Sequence, residues 1–258
     1  MINGVLISPG GNNTAIVTTP IPRSEQKSIS LLILEKYTDV EQVAFCEDEG
    51  NYLQMAGSEF CCNAARAFGF LKLKGNNGLT TFRMSGTDQT VSVRVKSSNS
   101  EVEIPVNMSL GEAMKSFSNG SFMVHLKGIT HFVITETSDL FRKNAGKEYA
   151  DKILQRFNLK DEIASSVSFL SNTNGIEPYV FVKNINTLYA ETACGSGSLA
   201  CAMVHSWQIK KSIQNLKIRQ PSGADLVVSV SLLNDYFGHA FVGGTVKILN
   251  SELCIHNT

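Results

Sequence analysis

The sequence holds no apolar run near the roughly 18 residues that a membrane-spanning helix needs, so no membrane partner is expected. Its first residues, Met1-Ile2-Asn3-Gly4-Val5, offer neither a basic leader nor an apolar segment behind it, and the expected location is the cytoplasm. Net charge is lacking too. The 23 Lys and Arg balance 23 Asp and Glu, which leaves no excess charge to draw in nucleic acid. Cysteine is sparse, six residues at 46, 61, 62, 194, 201 and 254, far below the density of a disulfide scaffold. In a reducing cytosol these are thiols, and the ordinary role for most of them is that of small buried hydrophobes.

What is present is the composition of a folding chain: 43% hydrophobic and 18% charged, which excludes wholesale disorder. The 258 residues suit one large domain or two of about 130 each. Gly4 to Ile7 and Thr14 to Thr19 read as strands around the turn Ser8-Pro9-Gly10-Gly11-Asn12-Asn13. Ser24 to Tyr37 carries Ile29, Leu32, Ile33 and Lys36 at helical offsets. Val43 to Cys46 and Tyr52 to Met55 follow as strands. A helix is expected from Ser58 through Leu73, stopped at Gly75-Asn76-Asn77-Gly78, and then strands at Gln89 to Lys96 and Val102 to Ile104.

After Pro105 a similar programme begins again. Strands are expected at Phe122 to Leu126, Phe132 to Thr135 and Tyr179 to Val182, with a helix over Ala145 to Phe157. Another helix follows Cys194 to about Lys210, and Val227 to Leu232, Ala240 to Val242 and Thr245 to Leu249 close the chain as strands. The loop Ser116 to Ser121 is the expected linker. The expected domains are therefore 1–118 and 119–247, with 248–258 returning to the first.

Glu59-Phe60-Cys61-Cys62-Asn63-Ala64-Ala65-Arg66 and Glu191-Thr192-Ala193-Cys194-Gly195-Ser196-Gly197-Ser198 share a plan: an acid, a cysteine shortly after it, small or polar residues, then a helix. Their cysteines lie 133 positions apart, close to half of 258. That spacing points to two equivalent halves, each offering a cysteine at a helix start. A thiol reacts as its thiolate, and a helix N-terminus, with its unpaired N–H groups and positive dipole end, brings ionisation within reach. Two such thiols titrate as a coupled pair whose stable form is one thiolate and one thiol. This suits removal of a proton from one face of a carbon and return of a proton to the other, as in racemisation at an amino-acid Cα. The N–H groups of Cys62, Asn63, Gly195 and Ser196 would hold the α-carboxylate and stabilise the charge that develops there.

Other readings stay open on the residues alone. Cys61 and Cys194 are also compatible with buried structural thiols, and Cys46, Cys201 and Cys254 with core or surface thiols. A cysteine hydrolase would need a histidine base, for which His131 is the available residue. A non-catalytic ligand-binding protein is the third reading. Gly195-Ser196-Gly197-Ser198 lacks the Gly-Lys-Ser/Thr ending of a phosphate loop, and the cysteines show no zinc-ligand spacing.

The segment from Gly57 to Arg66 resembles the first cysteine motif of the diaminopimelate epimerase superfamily, and Thr192 to Ser198 resembles its second. Gly11-Asn12-Asn13, Glu41-Gln42-Val43, Gly128-Ile129-Thr130-His131 and Gln220-Pro221-Ser222-Gly223 fall in the family's order, so the resemblance spans nearly the whole chain. It implies an α+β fold of two pseudo-symmetric domains, each a mixed, mostly antiparallel sheet wrapped around a central helix. It also implies a cofactor-independent, two-base reaction without pyridoxal phosphate or a metal, on a small amino-acid substrate, in a monomer or homodimer whose domains close on that substrate. The catalytic pair carried over is Cys61 and Cys194. Asn12, Glu41, Gln42, Cys62, Asn63, His131, Glu191, Gly195 and Ser196 are carried over as substrate-binding residues. The family's distal arginine is missing from Leu188-Tyr189-Ala190-Glu191, and Ile129 stands where an asparagine is usual. A distal carboxylate would lack its partners. The pattern is more similar to the histidine racemase branch that serves metallophore synthesis. A racemase for another polar or basic amino acid, diaminopimelate included, is the neighbouring reading.

Overall fold

The computed structural model describes residues 2–255, and within them every side chain except those at 105, 254 and 255. Cys254, expected as a core or surface thiol, therefore has its side chain outside the described residues, as is the end of the segment 248–258. The chain forms two compact units, one drawn from Met1–Val102 and Gly243–Thr258, the other from Glu103–Val242.

The first unit runs β1 (Ile2–Ser8), β2 (Thr14–Val17), α1 (Arg23–Lys36), β3 (Gln42–Glu47), β4 (Tyr52–Met55), α2 (Cys62–Lys72), β5 (Gly78–Met84) and β6 (Val91–Lys96). The chain leaves it within β7 (Asn99–Ser109). The second unit continues with α3 (Leu110–Ala113), β8 (Met114–Ser116), β9 (Ser121–Leu126), β10 (Ile129–Thr135), α4 (Lys147–Arg156), β11 (Ala164–Leu170), β12 (Ile176–Val182), β13 (Thr187–Ala190), α5 (Gly195–Ile209), β14 (Ile213–Arg219) and β15 (Asp225–Leu233). The chain returns within β16 (Tyr236–Thr245), and β17 (Lys247–Ile255) pairs antiparallel with β1.

Both units are built by one recipe. In the first, the antiparallel pair β1 and β2 is followed by the crossover α1 to β3, which lies parallel to β2, then by antiparallel β4 and the central helix α2. In the second, antiparallel β9 and β10 are followed by the crossover α4 to β11, parallel to β10, then by antiparallel β12 and β13 and the central helix α5. An antiparallel pair follows each central helix, β5 with β6 and β14 with β15. This is the α+β, pseudo-symmetric arrangement that the resemblance implied.

Each crossover helix covers one face of its sheet. Ile29 and Ile33 of α1 join Ala15, Val17, Val43 and Phe45, and Ala150, Ile153 and Leu154 of α4 join Phe132, Ile134, Val167 and Phe169. The opposite faces take the central helices, which are apolar or small nearly all round, as a helix in the middle of a core must be. Cys62 through Gly69 are all buried, as are Gly195 through Val204. Gly69 admits β6 so closely that a β-carbon there would stand 2.4 Å from Val93 Cγ1.

Several boundaries differ from the expected ones. The helix expected from Ser58 begins at Cys62, because Ser58 sits at φ 64, a left-handed conformation that no helix contains. The loop 116–121, expected as the linker, instead joins β8 to β9 as an antiparallel hairpin inside the second unit, with Gly120 at φ 74. Strands β5, β8, β11, β13 and β14 had no counterpart in the sequence reading. Among the described residues no helix is long and apolar enough to cross a membrane.

Candidate active site

In the first unit the chain enters α2 through Cys61, whose extended backbone (φ −129, ψ 111) makes it the N-cap and whose sulfur accepts from Ala64 N at 3.4 Å. A thiol thus occupies the place that serine or aspartate usually takes. The approach to the cap is held from outside the helix. Ser85 Oγ donates to Glu59 O at 3.0 Å, and a β-carbon on Gly86, at φ 75, would overlap the backbone of Glu59 and Phe60.

The same sulfur donates to Gln42 Oε1 at 3.0 Å. Gln42 Nε2 donates to Thr14 Oγ1 at 2.7 Å, and the Thr14 hydroxyl donates to Asn12 O at 3.0 Å. Asn12, at φ 48, donates through Nδ2 to Glu41 Oε2 at 3.3 Å. Four of the expected site residues, Asn12, Glu41, Gln42 and Cys61, therefore share one hydrogen-bonded group. Asn63 is held by a residue to which the sequence reading gave no role: Arg66, fully buried, donates to Asn63 Oδ1 at 3.0 Å, Pro9 O at 3.1 Å, Ser100 O at 2.9 Å and Thr245 O at 3.5 Å. Burial lowers its guanidinium to about 10, opposed by attraction to Cys62 and Cys61, so it stays charged at neutral pH. Cys62 is buried beside it. Glu59, also buried, is pushed up to about 7 by loss of solvation despite hydrogen bonds from its own and Gly57's N–H.

In the second unit Cys194 caps α5 with nearly the same backbone (φ −129, ψ 108), and its sulfur accepts from Gly197 N at 3.4 Å. Ser196 Oγ lies 3.7 Å from the sulfur, and Cys194 N donates to Gln220 Oε1 at 2.9 Å. Gln220 Nε2 is tied in turn to Ser198 Oγ at 2.9 Å. The loop after β14 also reaches the approach, but through its backbone: Ser222 N donates to Thr192 O at 2.8 Å. Unlike Gly86, Gly223, at φ 81, has open space where a β-carbon would stand. Burial, and then the charge of Glu191 and its hydrogen bond, hold the Cys194 thiol well above its ordinary value, against smaller help from Gly197 N–H and Ser196. Of the expected residues, Cys194, Glu191 and Ser196 interact, with Gly195 as the first residue of the helix.

His131 lies in β10, fully buried, with Nδ1 2.5 Å from Ser166 Oγ on β11. Burial pushes its imidazole down to about 3. His131 and Ser166 are register partners on the parallel pair of the second unit, as Thr14 and Gln42 are on that of the first. Each unit therefore carries a polar cross-strand couple at this station.

A cavity of 870 Å³ in the second unit reaches Glu191, Thr192 and Gln220. Phe141, Phe169, Ile176, Pro178 and Tyr179 give it an apolar floor, and Glu136, Glu177, Lys143 and Arg219 are its other charged residues. Arg219 is already bound to Asp225, Nε to Oδ1 at 2.9 Å. Three carboxylates against one uncommitted Lys favour a cationic or polar guest over a second carboxylate. Among the described residues no group of three or more His, Cys, Asp or Glu side chains is placed to hold a metal ion. Gln220, Thr14 and Arg66 are the contributors missed by sequence reading. The Gln220-Pro221-Ser222-Gly223 motif and the cysteine segment ending at Arg66 were visible signals for two of them; Thr14 has no local signature.

The whole chain is similar in fold to solved structures that are remote in sequence. A phenazine biosynthesis protein of the PhzF family from Enterococcus faecalis aligns with a TM-score of 0.58 at 14% identity, covering 99% of this chain and all of that one. A structure described as a "Predicted Epimerase" from Pseudomonas aeruginosa aligns with a TM-score of 0.62 at 14% identity, covering 99% and 100%. Two matched halves, each with a cysteine capping its buried central helix, define the fold class that this chain shares with the PhzF-family and predicted-epimerase structures. Closer relatives narrow this. The family described as "Histidine racemase CntK N-terminal domain" matches residues 1–252, and the chain belongs to that family. Histidine racemases of Fusobacterium nucleatum (26% identical over 248 residues, 86% of this chain and 87% of the relative) and Staphylococcus aureus (25% over 243 residues, 86% of each) are similar along most of their length.

Proposed function

We propose that this protein interconverts L- and D-histidine with Cys61 and Cys194 as its two acid–base groups. The observation that carries the reading is the duplicated N-cap: two thiols with matching backbone angles, each accepting from the third N–H of its own central helix. One sulfur, as thiolate, takes the Cα proton, and the electron pair passes into the carboxylate. The opposite thiol then delivers its proton to the other face of Cα, so the two sulfurs exchange roles and nothing is oxidised or reduced. Helix-start N–H groups, those of Cys62, Asn63, Gly195 and Ser196, hold the carboxylate as its charge grows.

Glu191 serves two purposes in this reading. It binds the substrate's amine or imidazole at the mouth of the acidic cavity, and it keeps Cys194 protonated until that cation neutralises it. The absence of an arginine from Leu188-Tyr189-Ala190-Glu191, where the family's distal clamp stands, supports histidine over diaminopimelate. D-Histidine would then serve assembly of a histidine-containing metallophore.

The test is incubation of the purified protein with L-histidine in heavy water, followed by chiral chromatography and mass spectrometry. D-Histidine carrying deuterium at Cα is expected, and neither Cys61→Ser nor Cys194→Ser should racemise at more than a trace. Lysine, arginine, glutamate and diaminopimelate serve as competitors. Absence of exchange from histidine, with exchange from one of the others, would replace the substrate; absence from all of them would end the racemase reading.

A further inference from the structure

Thr14 and Gln42 face each other on the parallel strands β2 and β3, and their hydrogen bonds leave little freedom in where the protons sit. Asn12 O is a carbonyl and only accepts, so the Thr14 hydroxyl spends its single proton there. The Thr14 oxygen can then only accept from Gln42, which requires the Gln42 NH2 group at the 2.7 Å contact. The amide is thereby oriented. Its oxygen, an acceptor without a hydrogen, is the atom left facing Cys61 Sγ at 3.0 Å.

We propose that Gln42 is a positioning residue that keeps the proton on Cys61 in the resting protein, through an amide locked in place by Thr14. A thiol donates to this oxygen; a thiolate would meet its lone pairs. The groups around the sulfur pull the other way. Ala64 N–H, the start of α2 and the buried Arg66 guanidinium all favour the anion, while Cys62 and the buried Glu59 stand nearby on the same segment. The Gln42 oxygen opposes that pull. The mechanistic consequence rests on the racemase reading: both thiols are protonated in the resting protein, and once the substrate's cation neutralises Glu191, Cys194 releases its proton to solvent and takes the one at Cα, while Cys61 serves as the acid. After Cys61 gives up its proton, the same oxygen makes the thiolate unfavourable and speeds its reprotonation.

The test needs no substrate. Full-length protein and its Gln42→Met, Gln42→Glu and Thr14→Val variants are treated with iodoacetamide across a pH series, and labelling of Cys61 is followed by peptide mass spectrometry with fragmentation to separate it from Cys62. Circular dichroism checks that each variant is folded. Gln42→Met removes the acceptor at nearly constant volume and should label about three- to tenfold faster at pH 7, with its profile moved to lower pH. Gln42→Glu places an anion at the sulfur and should label more slowly, with its profile moved to higher pH. Thr14→Val frees the amide to turn its NH2 group toward the sulfur and should behave like Gln42→Met. A purely structural role for Gln42 would move the Met and Glu variants in the same direction, and either that result or unchanged profiles would overturn the proposal. Because labelling is read without turnover, its outcome is separate from whether histidine is racemised.

Discussion

A β-carbon built on Gly197 would stand 3.1 Å from Cys194 Sγ, and equally 3.1 Å from Ser168 Oγ. The sulfur and the hydroxyl therefore close on the first turn of α5 from two sides, with room for a hydrogen and no more. Gly197→Ala must displace the sulfur from its 3.4 Å contact with the residue 197 N–H. We expect a folded protein, destabilised by about 1–3 kcal/mol from overpacking. Because the sulfur has to give by only a few tenths of an ångström, its α-hydrogen exchange with histidine should fall by about tenfold, short of the roughly 100-fold that a misplacement of about 1 Å imposes on a reacting group. Thermal melts and isotope exchange measure the two effects, and an alanine variant of normal activity would contradict the role given to this contact.

Glu59 contributes a pH dependence of unusual sign for a carboxylate. Its folded value of about 7 lies above the ordinary carboxyl value of 4.5, so between those limits the native state binds the proton that the unfolded chain has released. The stability tied to this proton is fully present below pH 4.5 and is lost as pH rises through about 7, on the order of 3 kcal/mol in all. Glu59→Gln, which keeps the shape and removes the titration, should be more stable than the parent at pH 8 and should lose this slope. Urea denaturation between pH 5 and pH 8 decides it; an identical slope in the variant would show that the carboxyl does not titrate there.

His131 acts in the opposite sense. Its imidazole stays neutral in the fold down to about pH 3, while the unfolded chain takes up a proton below 6.5. Stability should therefore be present above pH 6.5 and decline as pH falls from there toward 3. Between pH 4.5 and 6.5 this loss and the gain at Glu59 offset one another, so the parent protein should show a shallow profile. The variants separate them: Glu59→Gln should steepen the loss on acidification, and His131→Gln should turn it into a gain. Parallel profiles for the two variants would refute both assignments.

The caps were legible in the sequence because cysteine, small residues and an apolar helix follow one another locally, and the half-length spacing made the duplication visible. The start of α2 was misjudged because a left-handed Ser58 carries no signature in residue type. Strand β11 was overlooked because Ser165, Ser166 and Ser168 fill half its length. These serines are buried, and Ser166 meets its partner His131 on another strand. Strand β14 was overlooked because its register shifts between Ile213 and Leu216, which breaks the alternation that marks a strand. Asn12, Glu41 and Gln42 were named through resemblance, yet the lock that Thr14 places on Gln42 depends on a parallel pairing across 28 positions of chain. Proton placement of that kind is a property of tertiary contact.

Arg66 ties together carbonyls at Pro9, Ser100 and Thr245, and that grip bears on how the protein emerges from the ribosome. The unit from Glu103 to Val242 is one uninterrupted stretch and has all its parts as soon as Val242 has left the exit tunnel. The half made earlier cannot finish by then: the carbonyl at Thr245 and the strand that pairs with β1 are synthesised after Val242. The usual order, in which amino-terminal domains mature first, is thereby reversed. Nascent chains stalled after Val242 has emerged should resist a protease across the later half while the earlier half is digested, and equal resistance in both would refute this order of maturation.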